Sequence, residues 1–153
     1  MNAQEQEIIE SLNGKQIRLS VHGTRTLSDE RVRILILEAI VKYKATMLVT
    51  HAEPEGVCEV ARNIARDQGI PLLLHSLNFK YMRGAFARRS TAVFASSEHA
   101  ILIHDGISKG TSNELQMAKK MNIPHEYHIL KPTDYKKSVG FDEDWDSGIG
   151  DII

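Results

Sequence analysis

The sequence has little cysteine, almost no net charge and no long apolar run, and each absence excludes a class of protein. Cys58 is the single cysteine among 153 residues, which excludes an intrachain disulfide and suits a reducing compartment. The formal net charge of −1 predicts no broad electrostatic attraction to nucleic acid. No apolar run approaches the length of about eighteen residues that a membrane span requires. Residues 1–14 are polar and acidic, unlike a secretory signal, so we expect a cytoplasmic location.

What the chain does contain is the composition of an ordinary globular protein. Hydrophobic residues make up 42% and charged residues 25% of the sequence, and 153 residues suffice for one domain with a buried core. After Leu130 the apolar pattern stops. Residues 131–153 are acidic and contain Trp145. We therefore predict a single domain over residues 1–130 and an acidic C-terminal tail over residues 131–153.

Short apolar runs alternate with stretches whose apolar residues recur at helical spacing. Strands are predicted over 16–21, 45–50, 70–74, 100–103 and 123–130, and helices over 2–13, 29–44, 57–68, 85–96 and 111–122. This alternation predicts an α/β fold: a Rossmann-like, doubly wound and mostly parallel sheet of about five strands, with helices on both faces. In such folds ligands bind outside the carboxyl ends of the strands, where the strand order reverses. The turns over 22–28, 51–56 and 104–112 follow predicted strands, so we expect them to meet at one edge of the sheet.

The turn over residues 104–112 has the composition of an anion site. It leads from a strand into a helix, whose first N–H groups lack partners and lie at the positive end of the dipole. Gly106 and Gly110 permit a close approach to the backbone, Ser108 and Thr111 add hydroxyl groups, and Lys109 adds a positive charge. A phosphate would suit this turn, although turns of this composition are also common as simple helix caps.

Three motifs resemble those of the SLOG superfamily, which includes the LOG-type phosphoribohydrolases, DprA-like proteins and small bacterial or phage nucleotide-binding proteins. They are VHGTRT at 21–26, GVCEVA at 56–61 and DGISKGT at 105–111. The resemblance runs from about residue 17 to residue 130 and is closest to the small nucleotide-binding branch. The chain departs from the family pattern at His51 and Ala52, where relatives usually have two glycines, and at Ile107, which also replaces a glycine.

The resemblance implies a protein that binds a nucleotide or a nucleotide-derived small molecule through its phosphates. We expect it to act as a sensor, carrier or sequestering protein, to form a homo-oligomer, and to need no cofactor. Arg25 is expected to contact phosphate, the alternative being an ion pair with Asp29 or Glu30. The expected ligand-binding residues are Gly23, Thr24, Arg25, Gly56, Arg88, Asp105, Gly106, Ser108, Lys109, Gly110 and Thr111.

An enzyme is the alternative that the same resemblance implies. Residues 110–114 keep the Gly-Thr-x-x-Glu of the LOG enzymes, so Glu114 falls on their catalytic acid and Arg88 or Arg89 on their arginine. The reaction would be the N-glycosidic cleavage of a nucleoside monophosphate, with Glu114 and Arg89 as catalytic residues. The structural alternative is that Glu114 lies in the first turn of a helix and complements its dipole. A nucleic-acid-handling role of the DprA kind is disfavoured by the charge balance.

Four histidines follow four different predicted strands: His22, His51, His75 and His104. They are expected to gather around the mouth of the pocket. No His-x-x-x-His spacing supports a metal site, so we predict none and expect some of these side chains to donate to the ligand. Cys58, within a predicted helix, is expected to be a buried apolar residue.

Overall fold

The structure is a computed structural model that describes residues 4, 16–78, 80 and 84–132. Its strands are β1 (Arg18–Gly23), β2 (Met47–His51), β3 (Leu72–His75), β4 (His99–His104) and β5 (His125–Ile129), and its helices are α1 (Glu30–Tyr43), α2 (Val57–Gln68), α3 (Ala85–Ala95) and α4 (Lys109–Lys120). The helix predicted over 2–13 and the tail beyond residue 132 lie outside the described residues. Among the described helices, none has the length and apolar character needed to cross a membrane.

The strands form one sheet in the order β3-β2-β1-β4-β5, and every neighbouring pair is parallel. This confirms the predicted α/β class with five parallel strands. The strand order reverses between β1 and β4, because the chain builds outward to β3 and then returns to the centre. The carboxyl ends of β1 and β4 therefore mark the switch point at which ligands bind in such sheets.

Helices cover both faces of the sheet, as predicted. Alternate strand residues point to opposite faces, so Leu19 and Val21 pack with α1 and α2, whereas Ala100 and Leu102 pack with α3 and α4. The second face is not wholly apolar, since it also carries the imidazole of His22. That ring is fully buried and stacks on the ring of Phe94, with the centroids 3.9 Å apart.

Three helix ends carry residues that are typical of caps. Asp29 is the N-cap of α1, and its carboxylate accepts the backbone N–H of Arg31 at 3.0 Å. Gly69 ends α2 with a φ of +67°, and Asn122 follows α4 with a φ of +57°.

The start of α4 differs from the prediction, because the helix begins at Lys109 and not at Thr111. The cause is the carboxylate of Asp105, whose Oδ1 accepts the backbone N–H groups of both Ile107 and Ser108 at 2.8 Å. Because of these bonds, the helix begins two residues earlier than predicted. Glu114 consequently lies beyond the first turn of α4, so the explanation of its role by the helix dipole is wrong.

Candidate functional site

The loops that follow β1, β2 and β4 meet at the switch point, as the sequence predicts. The carbonyl of Thr24 accepts the N–H of Val57 at 3.2 Å, which joins the first loop to the start of α2. The hydroxyl of Thr24 accepts the N–H of Asp105 at 3.3 Å and lies 3.5 Å from the hydroxyl of Thr111. Thr24 is thus the residue on which the three loops are assembled.

Two predicted ligand-binding glycines allow this close packing. A Cβ added to Gly23 would lie 2.6 Å from both the carbonyl oxygen of Ile103 and the side chain of Val57. A Cβ on Gly56 would lie 2.3 Å from the Cα of Arg25, and Gly56 has a φ of +84° that other residues rarely adopt. The space at Gly56 is therefore filled by the protein's own backbone, which gives this glycine a packing role, and its contact with a ligand stays a prediction.

A pocket opens beside these loops, between the carboxyl edge of the sheet and the first turns of α3 and α4. Its free volume is about 340 Å³ including the part open to solvent, and only about 10 Å³ of it admits the centre of a water molecule. Such a space holds roughly one water molecule. The lining residues are Gly23, Arg25, His51, Glu53, Cys58, Phe86, Arg89, Ser90, Gly110 and Glu114.

At the floor of the pocket, one carboxylate oxygen of Glu114 contacts two imidazoles. Glu114 Oε2 lies 2.6 Å from His22 Nδ1 and 2.8 Å from His51 Nε2, and these two nitrogens lie 3.3 Å apart. The far nitrogen of His22 contacts the hydroxyl of Ser20 at 2.9 Å. Nδ1 of His51 is buried without a hydrogen-bond partner among the described residues.

The electrostatics of this cluster favour an ionised carboxylate beside a neutral His22. Burial raises the pKa of Glu114, but the nearby imidazoles of His51 and His22 outweigh it and hold the pKa well below its usual range. Burial lowers the pKa of His22, and the attraction of Glu114 offsets this only in part. Glu114 therefore presents a fixed negative charge at the floor of the pocket.

A second buried ion pair forms one wall. The guanidinium of Arg89 donates to the carboxylate of Glu53, and their side chains are only 5% and 12% exposed. The guanidinium carbon also lies 5.5 Å from the centroid of the Phe86 ring. Nε of Arg89 is buried and has no hydrogen-bond partner among the described residues. An unpaired N–H on a buried cation that lines a pocket is a donor available to a ligand.

The structure distinguishes the two arginines that the sequence left open. Arg89 is buried and lines both the pocket and a neighbouring depression beside His75, whereas Arg88 is exposed and lines only the depression. Adjacent residues of a helix point about 100° apart, so only one of them can face the sheet edge. Arg88 lies outside this pocket, and its contact with a ligand stays a prediction.

The turn over 104–112 is less open to an anion than predicted. Asp105 satisfies the N–H groups of Ile107 and Ser108 with its own carboxylate, so these donors are occupied. Lys109 is exposed and does not line the pocket. Of the residues predicted to bind a ligand, the pocket brings together Gly23, Arg25 and Gly110, and it does not include Thr24, Gly56, Arg88, Asp105, Gly106, Ser108, Lys109 or Thr111. Both residues predicted to be catalytic, Glu114 and Arg89, do line it.

Of the four histidines that were predicted to gather at the pocket, only two contact each other. His22 and His51 meet at Glu114, but Nδ1 of His104 contacts the hydroxyl of Tyr127 at 2.6 Å and its Nε2 donates to the carbonyl of Ser108 at 2.8 Å. His75 contacts the hydroxyl of Ser96 at 3.0 Å.

Cys58 is buried, as predicted, and burial raises the pKa of its thiol to about 12.

Sequence reasoning missed Glu53, although it lies in the turn over 51–56 and could have been found as the acidic residue nearest the end of β2.

The fold and the pocket define a class of protein: a doubly wound parallel α/β domain with a polar pocket at its switch point. Comparison with known protein families, curated proteins and solved structures finds no match to this chain.

Proposed function

We propose that the protein binds a small nucleotide or nucleotide-derived molecule at the pocket between the carboxyl ends of β1, β2 and β4. The observation that carries the proposal is the guanidinium of Arg89, which is buried, lines the pocket and retains an unpaired Nε donor. A buried donor without a partner costs free energy until a ligand supplies an acceptor. Guanidinium groups are well suited to phosphate oxygens.

The remaining lining residues supply the other contacts that such a ligand needs. Arg25 lies on the same pocket and adds a second positive charge for a phosphate. The carboxylates of Glu53 and Glu114 can accept hydrogen bonds from sugar hydroxyls, as acidic residues do in other dinucleotide-binding sheets. Phe86 offers an aromatic face to a base. This combination of cations, carboxylates and one aromatic ring suits a nucleotide better than a purely anionic or purely apolar ligand.

The size of the pocket determines how the ligand would lie. Because the interior holds roughly one water molecule, most of a nucleotide must rest across the mouth. Its phosphate would then reach Arg89 while the carboxylate of Glu53 gives up part of its contact with the guanidinium. The resemblance of residues 21–26 and 105–111 to the SLOG motifs supports the same ligand class.

A specific observation also favours a second candidate, the N-glycosidic cleavage of a nucleoside monophosphate. Glu114 is an ionised carboxylate that lines the pocket, with one oxygen held by two imidazoles. A carboxylate held in this way can stabilise the positive charge that develops on the sugar as the base departs. Both candidates use the same site, so one experiment addresses both.

The test is a calorimetric titration of the protein with the monophosphates of adenosine, guanosine, cytidine and uridine, with release of free base followed by chromatography. We expect at least one nucleotide to bind, and Arg89→Gln to weaken it by roughly 10- to 100-fold, as the loss of a charged hydrogen bond implies. Arg88→Gln is the matched control, because it removes the same charge one residue away on the exposed side of α3.

Three outcomes decide between the candidates. Binding without base release supports the binding protein, and base release that disappears in Glu114→Gln supports the glycosidase. Failure of every nucleotide to bind, or an equal loss of affinity in Arg88→Gln and Arg89→Gln, would contradict the proposal.

A further inference from the structure

The contact between His22, His51 and Glu114 has a geometry that goes beyond ligand binding by hydrogen bonds. Three potential ligand atoms (His22 Nδ1, His51 Nε2 and a Glu114 carboxylate oxygen) lie within 4.8 Å of one another, and all three residues are buried. They come from β1, β2 and α4, so the fold itself brings them together. We propose that these three side chains bind one divalent transition-metal ion.

The distances between the ligand atoms suit such an ion. The three separations are 2.6, 2.8 and 3.3 Å. A metal with bonds of about 2.1 Å to imidazole and carboxylate places ligands at right angles about 3.0 Å apart, and tetrahedral ligands about 3.4 Å apart. Side-chain shifts of a few tenths of an ångström therefore suffice to place an ion near all three atoms.

The charge of the cluster also calls for a cation. The Glu114 side chain is 6% exposed, and the described groups that contact its carboxylate are the two imidazoles. The other buried carboxylate of the pocket, Glu53, has Arg89 as its own counter-ion. A divalent ion would supply the positive charge and leave both imidazoles neutral.

The donor set indicates which kind of ion binds. Two nitrogens and one carboxylate suit zinc, iron(II) or cobalt(II), whereas magnesium and calcium prefer sites made of oxygen ligands. Metal-bound imidazoles commonly donate their second N–H to a neighbouring group that fixes the ring, and His22 has Ser20 in that position, at 2.9 Å. The ring of Phe94 stacks on the same imidazole and further restricts it. Three protein ligands leave coordination positions open, and His51 and Glu114 line the pocket from which another ligand would arrive.

The test is equilibrium dialysis of the tag-free protein, first stripped with a chelator, against Zn²⁺, Co²⁺ and Mg²⁺. We expect about one Zn²⁺ or Co²⁺ per chain and no comparable binding of Mg²⁺. His51→Gln and Glu114→Gln should each weaken Zn²⁺ binding by roughly 100-fold or more, since even outer-shell partners of metal ligands contribute 10- to 100-fold.

Two control variants test other sources of metal binding. Cys58→Ser removes the thiol that also lines the pocket, and His99→Gln removes a histidine at the amino end of β4. Both should bind Zn²⁺ as the unaltered chain does. Circular dichroism of each metal-free variant establishes that it is folded.

The nucleotide titration is repeated in the presence of chelator, so that the result for metal binding and the result for nucleotide binding are obtained separately. The proposal is overturned if the unaltered chain binds no Zn²⁺, if binding survives both His51→Gln and Glu114→Gln, or if Cys58→Ser abolishes it. Should the substituted chains fail to fold, X-ray absorption at the zinc edge of the unaltered chain decides. Two imidazoles and no sulfur support the site, and a shell that contains sulfur or lacks imidazole contradicts it.

Discussion

At the scale of the residue, the site depends on polar side chains that are buried at the ends of strands. Glu114, His22 and His51 are all buried at the carboxyl edge of the sheet. Each is held by contacts with the others, and Glu114 remains ionised because its neighbours favour the charged form. Buried polar groups of this kind cost stability unless they are paired, so their presence points to function more than to folding.

A glycine substitution tests how tightly the loops are packed. Gly56→Ala should lower the free energy of unfolding by about 2–4 kcal/mol, because φ +84° and ψ −152° strain any side chain and the new Cβ would meet the backbone of Arg25. Gly69→Ala is the control: its φ is also positive, but nothing lies within 4 Å of the added Cβ, so we expect only about 1–2 kcal/mol. Urea unfolding measures both, and equal losses would show that the contact with Arg25 is not tight.

Sequence reasoning reached some of these residues and missed others for physical reasons. Glu114 and Arg89 were found from the motif that resembles the LOG enzymes, and both line the pocket. The contact between His22 and His51 depends on the register of β1 and β2, in which Val21 pairs with Thr50. Register is set by the whole sheet, so spacing along the chain could not reveal that these two imidazoles meet.

At the scale of the element, the strands and helices were predicted well and α2 with its exact bounds, whereas the bounds of the other described elements are shifted by one or two residues. β1 ends two residues later and β2 one residue later than the apolar pattern predicted. His22 and His51 therefore belong to the strands themselves. α4 begins early because Asp105 caps it. A pattern of apolar residues predicts neither polar residues within strands nor helix caps that are made by side chains.

The packing of α1 over β5 yields a prediction of pH dependence. Glu126 on β5 accepts from the hydroxyl of Tyr43 at 2.7 Å and from Lys42 at 3.1 Å, both at the end of α1, and contacts His128 at 3.0 Å. Burial raises the pKa of Glu126, but these partners outweigh it and lower the pKa below its ordinary value. The stabilisation is therefore complete above the unfolded pKa of about 4.3 and is lost as the pH falls through the folded pKa.

Glu126→Gln should accordingly lower the free energy of unfolding by about 1 kcal/mol at pH 7, and by less as the pH is reduced below about 4. Glu38→Gln, an exposed position on α1, is the control for the change in net charge. Urea unfolding across this range measures the difference. A loss from Glu126→Gln that stays constant with pH would show that the hydrogen bonds, and not the charge, provide the stabilisation.

At the scale of the whole molecule, topology places the site. The order β3-β2-β1-β4-β5 places β1 and β4 side by side at the switch point, and the parallel direction brings every strand's carboxyl end to one edge. The alternation of strands and helices predicted the parallel sheet and the shared edge, but it did not predict the order of the strands. The expected homo-oligomer stays a prediction.

The most direct measurement is a nuclear magnetic resonance titration of the ¹⁵N-labelled chain with the nucleoside monophosphate that binds best. The pocket predicts that the amide shifts change at Gly23, Arg25 and Gly110, on the carboxyl edge of the sheet. At Arg18, Met47 and His99, which begin strands on the opposite edge, the shifts should remain unchanged. Changes confined to the opposite edge, or none at saturating nucleotide, would contradict a nucleotide site at the switch point.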